Sequence, residues 1–205
     1  KNPHKKNEAI PNRNIKCNLK AYQFANFISV ASQHVKESFL LHQYPENRIF
    51  VNPYGVDLSM FKPLPNIPKK YDVIMVGGWG YEKGCDLIVE AIRKTNYSFI
   101  HVGSIKDVDF PQEKNFTHID PVDQSKLIEY YNQAKVFILP SRQDGFGMVL
   151  SQALACNLPI IGSNNCGAPD LKKMVELPEY ITIIKDYTAD AIVTAIHTAL
   201  SLIHI

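Results

Sequence analysis

VFILPSRQDGFGMVLSQALACNLPIIGS, residues 136–163, sets two apolar runs on either side of a loop and a helix-compatible segment. Val136–Leu139 and Pro159–Gly162 are apolar throughout rather than alternating, the pattern of strands buried on both faces. Between them PSRQDG reads as a loop and Phe146–Cys156 as a helix. Working outward, the same unit recurs. Further strands are expected at Val73–Gly77, Ser98–Val102, Phe116–Ile119 and Tyr180–Ile184, and further helices at Gly84–Lys94, Asp123–Ala134, Asp170–Val175 and Thr188–Ser201. This rhythm predicts an α/β fold with a doubly wound parallel sheet. Such sheets bind ligands beyond the carboxyl ends of their strands, so the loops after Gly77, Val102, Ile119, Leu139 and Gly162 are where function is expected.

Residues 1–70 depart from the rhythm. NFISVASQHVKESFLLHQYPENRIFVNPYG reads as a strand, a Ser32-capped helix and a strand, too little to bury a core alone. Prolines 53, 63, 65 and 68 mark an extended linker. The expected organisation is the tail of a further, mostly absent domain over 1–52, a linker over 53–70, and the main domain over 71–205.

Composition narrows the function classes. The chain has 205 residues, 45% apolar and 20% charged, the profile of a soluble globular protein with a real core. Its net charge of +2 is uneven: residues 1–20 hold six of the 22 basic residues and one of the 20 acids, leaving 16 against 19 in the rest. The body therefore lacks the broad positive surface that nucleic-acid binding requires. The basic leader reads as a solvated connector, or as a segment touching an anionic membrane surface. Cys17, Cys85, Cys156 and Cys166 form no C-x-x-C pair, which points to a reducing compartment and no metal site. No apolar run approaches the ~20 residues of a membrane span, and no signal peptide opens the chain, so a cytoplasmic location is expected.

Two loops carry chemistry. VGGWGYEKG, residues 76–84, places glycines between a buried strand and a helix, where backbone amides can approach an anion and Lys83 adds a charge for phosphate oxygens. The spacing of Gly77, Gly78, Gly80 and Gly84 is not the dinucleotide fingerprint G-x-G-x-x-G, and no acid ends the second strand to hold a ribose, which argues against a nicotinamide-dependent dehydrogenase. On the second loop, Asp144 precedes a helix start whose amides, Phe146, Gly147, Met148 and Val149, have no partner inside the helix. Asp144 is either a cap for those amides or a sugar-hydroxyl acceptor. Gly145 and Gly147 each cost a helix up to ~1 kcal/mol, so a start that gives up two side chains is being kept open for a close ligand. A diphosphate on the amides with a sugar hydroxyl on the carboxylate explains both features.

NPYGVDLSMFKP, VGGWGYEKGCDLIVEAI, VFILPSRQDGFGMVLSQALACNLPIIGS and CGAPDL, in this order over about residues 28–200, resemble the carboxy-terminal, donor-binding domain of retaining nucleotide-sugar glycosyltransferases of the GT-B fold, family 4 or glycosyl transferases group 1. The resemblance implies one Rossmann-like half of a two-domain enzyme of polysaccharide or glycoconjugate biosynthesis. It implies a UDP-, GDP- or ADP-sugar donor, no cofactor and no metal, and a hexosyl group passed to a saccharide, lipid or protein acceptor with retained configuration. A missing amino-terminal domain would meet the acceptor and any membrane, leaving the isolated chain inactive. The family pattern has a first glutamate on the donor sugar, a second on the ribose, and an arginine and a lysine on the diphosphate. Here Asp144 replaces the first, Gln152 the second and Gly78 the arginine, while Lys83 is retained. Arg142, on the facing loop, is the candidate replacement cation, and Val122 beside Pro121 is either apolar contact for the base or an ordinary turn. Those substitutions also suit a non-catalytic binding module or pseudoenzyme of the same fold. Among the remaining residues, the seven histidines show no ligand spacing and His101 reads as a satisfied core residue. Trp79 either packs on a ligand or covers the core, and Tyr130 and Tyr131 read as helix packing.

Overall fold

A computed structural model describes residues 12–202. The basic residues Lys1, Lys5 and Lys6 of the leader lie outside the described residues, and the part that follows is helical: Asn12–Phe24 form helix α1, whose side chains over 13–24 are exposed. Strand β1 (Ile28–Val30), helix α2 (Gln33–Leu41) and strand β2 (Ile49–Val51) follow as a βαβ unit with the two strands parallel. Ser32 caps α2 as its sequence suggests, its Oγ accepting the Val35 N–H at 3.3 Å. Residues 52–70 contain no helix or strand, yet they are fixed onto the main sheet. Phe61 is buried beside Tyr131, and the Asn132 side chain accepts the Leu64 N–H at 2.7 Å and donates to the Lys62 carbonyl at 3.1 Å.

Six parallel strands build the core: β3 (Tyr71–Val76), β4 (Phe99–Val102), β5 (Phe116–Ile119), β6 (Ala134–Leu139), β7 (Ile160–Ser163) and β8 (Ile181–Ile184). The crossovers carry α3 (Cys85–Lys94), α4 (Gln124–Gln133), α5 (Met148–Ala155) and α6 (Ala168–Met174), and α7 (Ala189–Ser201) packs after β8. The apolar runs are the centre of the sheet. Val73, Ile74, Val136, Phe137, Ile138, Leu139, Ile160 and Ile161 are all buried, each contributing roughly 1.5–3 kcal/mol of transfer free energy.

The strand order is β5-β4-β3-β6-β7-β8. The chain starts at β3, moves outward to β5, returns to lie beside β3 as β6, and continues the other way. Loops after β3 and β6 therefore diverge from neighbouring strands, and this switch point is where an open parallel sheet leaves a crevice. Two glycines shape it. Gly84, at φ +74°, caps α3, and a Cβ there would collide with the Pro140 carbonyl oxygen, so the two loops touch. Gly147, at φ +78°, stops the helix from extending back to Phe146, so α5 begins at Met148 rather than at the expected Phe146.

Candidate active site at the switch point

Lys83 closes a 3-10 turn, Tyr81–Lys83, at the end of the glycine loop. Its ammonium reaches across the crevice to Asp144 Oδ2 at 2.6 Å, with both side chains largely buried. The structure thus joins two candidates that stand 61 residues apart in the chain. Asp144 is held from its backbone as well, its N–H donating to the Asn165 carbonyl at 2.9 Å. Its second oxygen, Oδ1, accepts the Phe146 N–H at 3.2 Å. Capping and aiming at the crevice are therefore not alternatives for Asp144, because one oxygen does each. Of the four amides expected to be open, Phe146 is taken by this cap. Gly147, Met148 and Val149 N–H groups have no partner among the described residues. An ammonium and unpaired amides at a helix start both attract negative charge.

Four other candidates are engaged within the protein itself. Arg142 does not extend toward a ligand: Asp86 chelates its guanidinium at 2.6 and 2.9 Å, Nη1 also donates to the Tyr81 carbonyl at 2.7 Å, and the group stacks 3.7 Å over the Tyr81 ring. Its bidentate capacity is thus saturated by Asp86, a partner that sequence spacing did not point to. Gln152 is buried, and its Oε1 accepts the hydroxyl of the fully buried Tyr131 at 3.0 Å. Val122 is half-buried against the core at the end of β5, and Pro121 is exposed beside it. Trp79 covers the core: it is fully buried against His101, Phe110 and Phe116, with ring centroids 4.8, 5.6 and 5.2 Å away.

The floor of the glycine loop is set by His101 on β4. Its Nε2 lies 2.8 Å from the Gly77 carbonyl oxygen, which only accepts, so Nε2 carries the hydrogen and Nδ1 accepts from His118 Nδ1 at 2.9 Å. Burial holds the His101 ring well below the ordinary imidazole range, at about 4. Cys85 at the start of α3 is likewise buried, its thiol pushed up to about 12 by burial. Among the described residues, no group of three His, Cys, Asp or Glu side chains could hold a metal ion.

The βαβ unit of residues 28–51 reaches this site. Ser32 Oγ donates to the Gly145 carbonyl at 2.7 Å, and the Gln33 N–H donates to Asp170 Oδ2 at 3.1 Å. No local sequence signal marks Ser32, Asn165 or Asp170 as site residues; Asp170 lies in the block CGAPDL, but its partner is 137 residues away. A separate groove of about 610 Å³ lies between α1 and α2, lined by Leu19, Tyr22, Phe39, Tyr44 and Arg48, and includes no residue of either glycine-bearing loop.

Known proteins agree with this architecture. The sequence profile described as glycosyl transferases group 1 matches residues 58–202. A probable sucrose-phosphate synthase of Thermosipho melanesiensis is 25% identical over 178 residues, covering 74% of this chain and 42% of that protein. The structure of Anabaena Alr3699/HepE in complex with UDP and glucose has a TM-score of 0.77 at 16% identity, covering 95% of this chain and 59% of that one. Sucrose-phosphate synthase from Thermosynechococcus elongatus has a TM-score of 0.72 at 20% identity, covering 97% and 56%. These structures share the fold, that of the Rossmann-like half of a GT-B architecture, and the chain spans less than two thirds of the length of each of these relatives. With the profile covering more than two thirds of its residues, the chain belongs to the glycosyl transferases group 1 family.

Proposed function

We propose that the crevice between the β3 and β6 loops binds a nucleoside diphosphate sugar, a UDP-, GDP- or ADP-sugar, and that its hexosyl group is transferred to a saccharide, lipid or protein acceptor with retained configuration, as in family 4. The observation that carries this reading is the Lys83–Asp144 pair, 2.6 Å apart beside the free amides of Gly147, Met148 and Val149. A departing diphosphate needs fixed positive charge aimed at it, which Lys83 and those amides supply without a metal. Asp144 Oδ2 faces the same space and suits a sugar hydroxyl, while Gly145 leaves room beside it. Val122 serves the base, and Gln152 the ribose through its amide nitrogen, since its oxygen is held by Tyr131. The related fold of Alr3699/HepE holds UDP and glucose, which supports the donor class.

The acceptor belongs, in this reading, to a further domain packed on residues 12–52, where Phe24, Phe27, Leu41 and Phe50 are exposed. Peripheral membrane contact would also pass through that domain in the cytoplasm. No described helix is long and apolar enough to cross a membrane. The 205-residue chain alone is then expected to bind donor weakly and transfer nothing. A second reading, a donor-binding module without turnover, is favoured by the tied Arg142 and the Tyr131-bound Gln152. Calorimetric titration with UDP, GDP and ADP and with the matching nucleotide sugars tests the site: one of the nucleotides binds, Lys83→Ala weakens it by about tenfold or more, and Asp144→Asn weakens the nucleotide sugar without weakening the bare nucleotide. Silence toward all three nucleotides refutes the donor site. Turnover by a longer chain that includes the acceptor domain, followed by NMR of the product's anomeric proton, separates the two readings and tests retention.

A further inference from the structure

Three cations border the glycine loop, and two of them are neutralised within the protein. Lys83 faces Asp144, and Arg142 is chelated by Asp86. Lys106, on the loop after β4, is exposed and makes no ion pair among the described residues. Its stem lies directly over Gly78. A Cβ placed on that glycine would collide with Lys106 Cε and stand 3.1 Å from Cδ and 3.2 Å from Nζ.

Backbone pairing fixes the lysine there. Strands β3 and β4 are parallel neighbours with Val76 opposite Val102, and the pairing resumes beyond their ends. The Trp79 N–H donates to the Ser104 carbonyl at 2.7 Å and the Lys106 N–H to the Trp79 carbonyl at 3.0 Å. Asp107, the nearest acid in sequence, uses Oδ1 to accept the Tyr81 N–H at 2.9 Å, so it anchors the loop on which Lys83 stands.

We propose that Lys106 is a donor-binding residue whose ammonium, laid across Gly78, contacts the diphosphate of the bound nucleotide. This rests on the donor-site reading given above. A diphosphate brings two or more negative charges, and a cation already facing a carboxylate attracts it less than one with no counter-charge. Lys106 therefore adds an uncompensated charge to the attraction that the helix amides and the paired Lys83 provide. Gly78 is the clearance that this arrangement requires: any side chain there displaces the lysine stem. The cation is supplied from the adjacent strand's loop instead of from the glycine loop itself.

The test is calorimetric titration of the 205-residue chain with UDP, GDP and ADP and with the corresponding nucleosides. Lys106→Met keeps the stem over Gly78 and removes the charge, and Lys106→Arg keeps the charge. Affinity for the bound nucleoside diphosphate is expected to fall about tenfold in Lys106→Met and to stay within about threefold of the parent in Lys106→Arg, with nucleoside affinity unchanged in both. Unchanged diphosphate affinity in Lys106→Met overturns the proposal while leaving the donor site standing. Equal losses for diphosphate and nucleoside also overturn it, since the lysine would then only shape the loop. A parent chain that binds no nucleoside diphosphate overturns both.

Discussion

Folding stability should depend on the protonation of His101. The ring is fully buried on β4 within a cluster containing Trp79, Phe110 and His118. The titratable groups facing it are His118, stacked on it at 5.0 Å, and behind that Asp120, whose Oδ1 is 3.3 Å from His118 Nε2. Burial, opposed by the Gly77 carbonyl and aided by the neighbouring His118, lowers the His101 pKa from 6.5 to about 4. Above pH 6.5 both folded and unfolded chains hold it neutral, and stability is complete. As pH falls from 6.5 toward 4, the unfolded chain takes up a proton that the folded chain refuses, so stability declines through that window. At about 1.4 kcal/mol per pH unit, the full loss by pH 4 is about 3 kcal/mol. Asp57 and Asp123 sit below the usual carboxylate range through hydrogen bonds from Ser59 and Ser125, so their contributions are lost at lower pH than this window. Urea unfolding of the parent and of His101→Gln at pH 7.5, 6.5, 5.5 and 4.5 isolates the term. Glutamine can still donate to the Gly77 carbonyl but does not titrate, so the variant should lose about 2 kcal/mol less than the parent between pH 6.5 and 4.5. Parallel stability curves for the two proteins, or a His101 NMR resonance titrating near 6.5, would refute the reasoning.

Two further outcomes test the geometry of the switch point. Gly84→Ala places a Cβ against the Pro140 carbonyl in a left-handed backbone. It should lower the unfolding free energy by about 2–4 kcal/mol in urea denaturation, whereas a loss under about 0.5 kcal/mol, the usual range of an ordinary surface change, contradicts the loop contact. Arg142→Lys removes the bidentate grip on Asp86 and the stacking on Tyr81, and should cost about 1–3 kcal/mol by the same measurement. If Arg142 instead serves the donor, the substitution will leave stability alone and weaken nucleotide binding.

The sequence determined the order of strands and helices, because fully apolar runs bounded by glycines, prolines and caps are local signals. It also pointed to Lys83 and Asp144, since a glycine loop before a helix and an acid at a helix start are visible within ten residues. Helix α1 is legible in the spacing of Ile15, Leu19 and Tyr22, which are set among basic side chains that read as solvated. Strand order was decided only in three dimensions, and with it which loops meet. Lys83 and Asp144 are 61 residues apart, and Arg142 and Asp86 are 56 apart. Their pairing follows from β6 returning to lie beside β3, which no local pattern encodes. The same holds for the direction of long side chains. Arg142 turns to Asp86, Gln152 to Tyr131 and Lys106 over Gly78 because each polar head finds its partner, or its space, on a different segment of the chain. Backbone conformation is written by neighbours in sequence, whereas a site is written by neighbours in space.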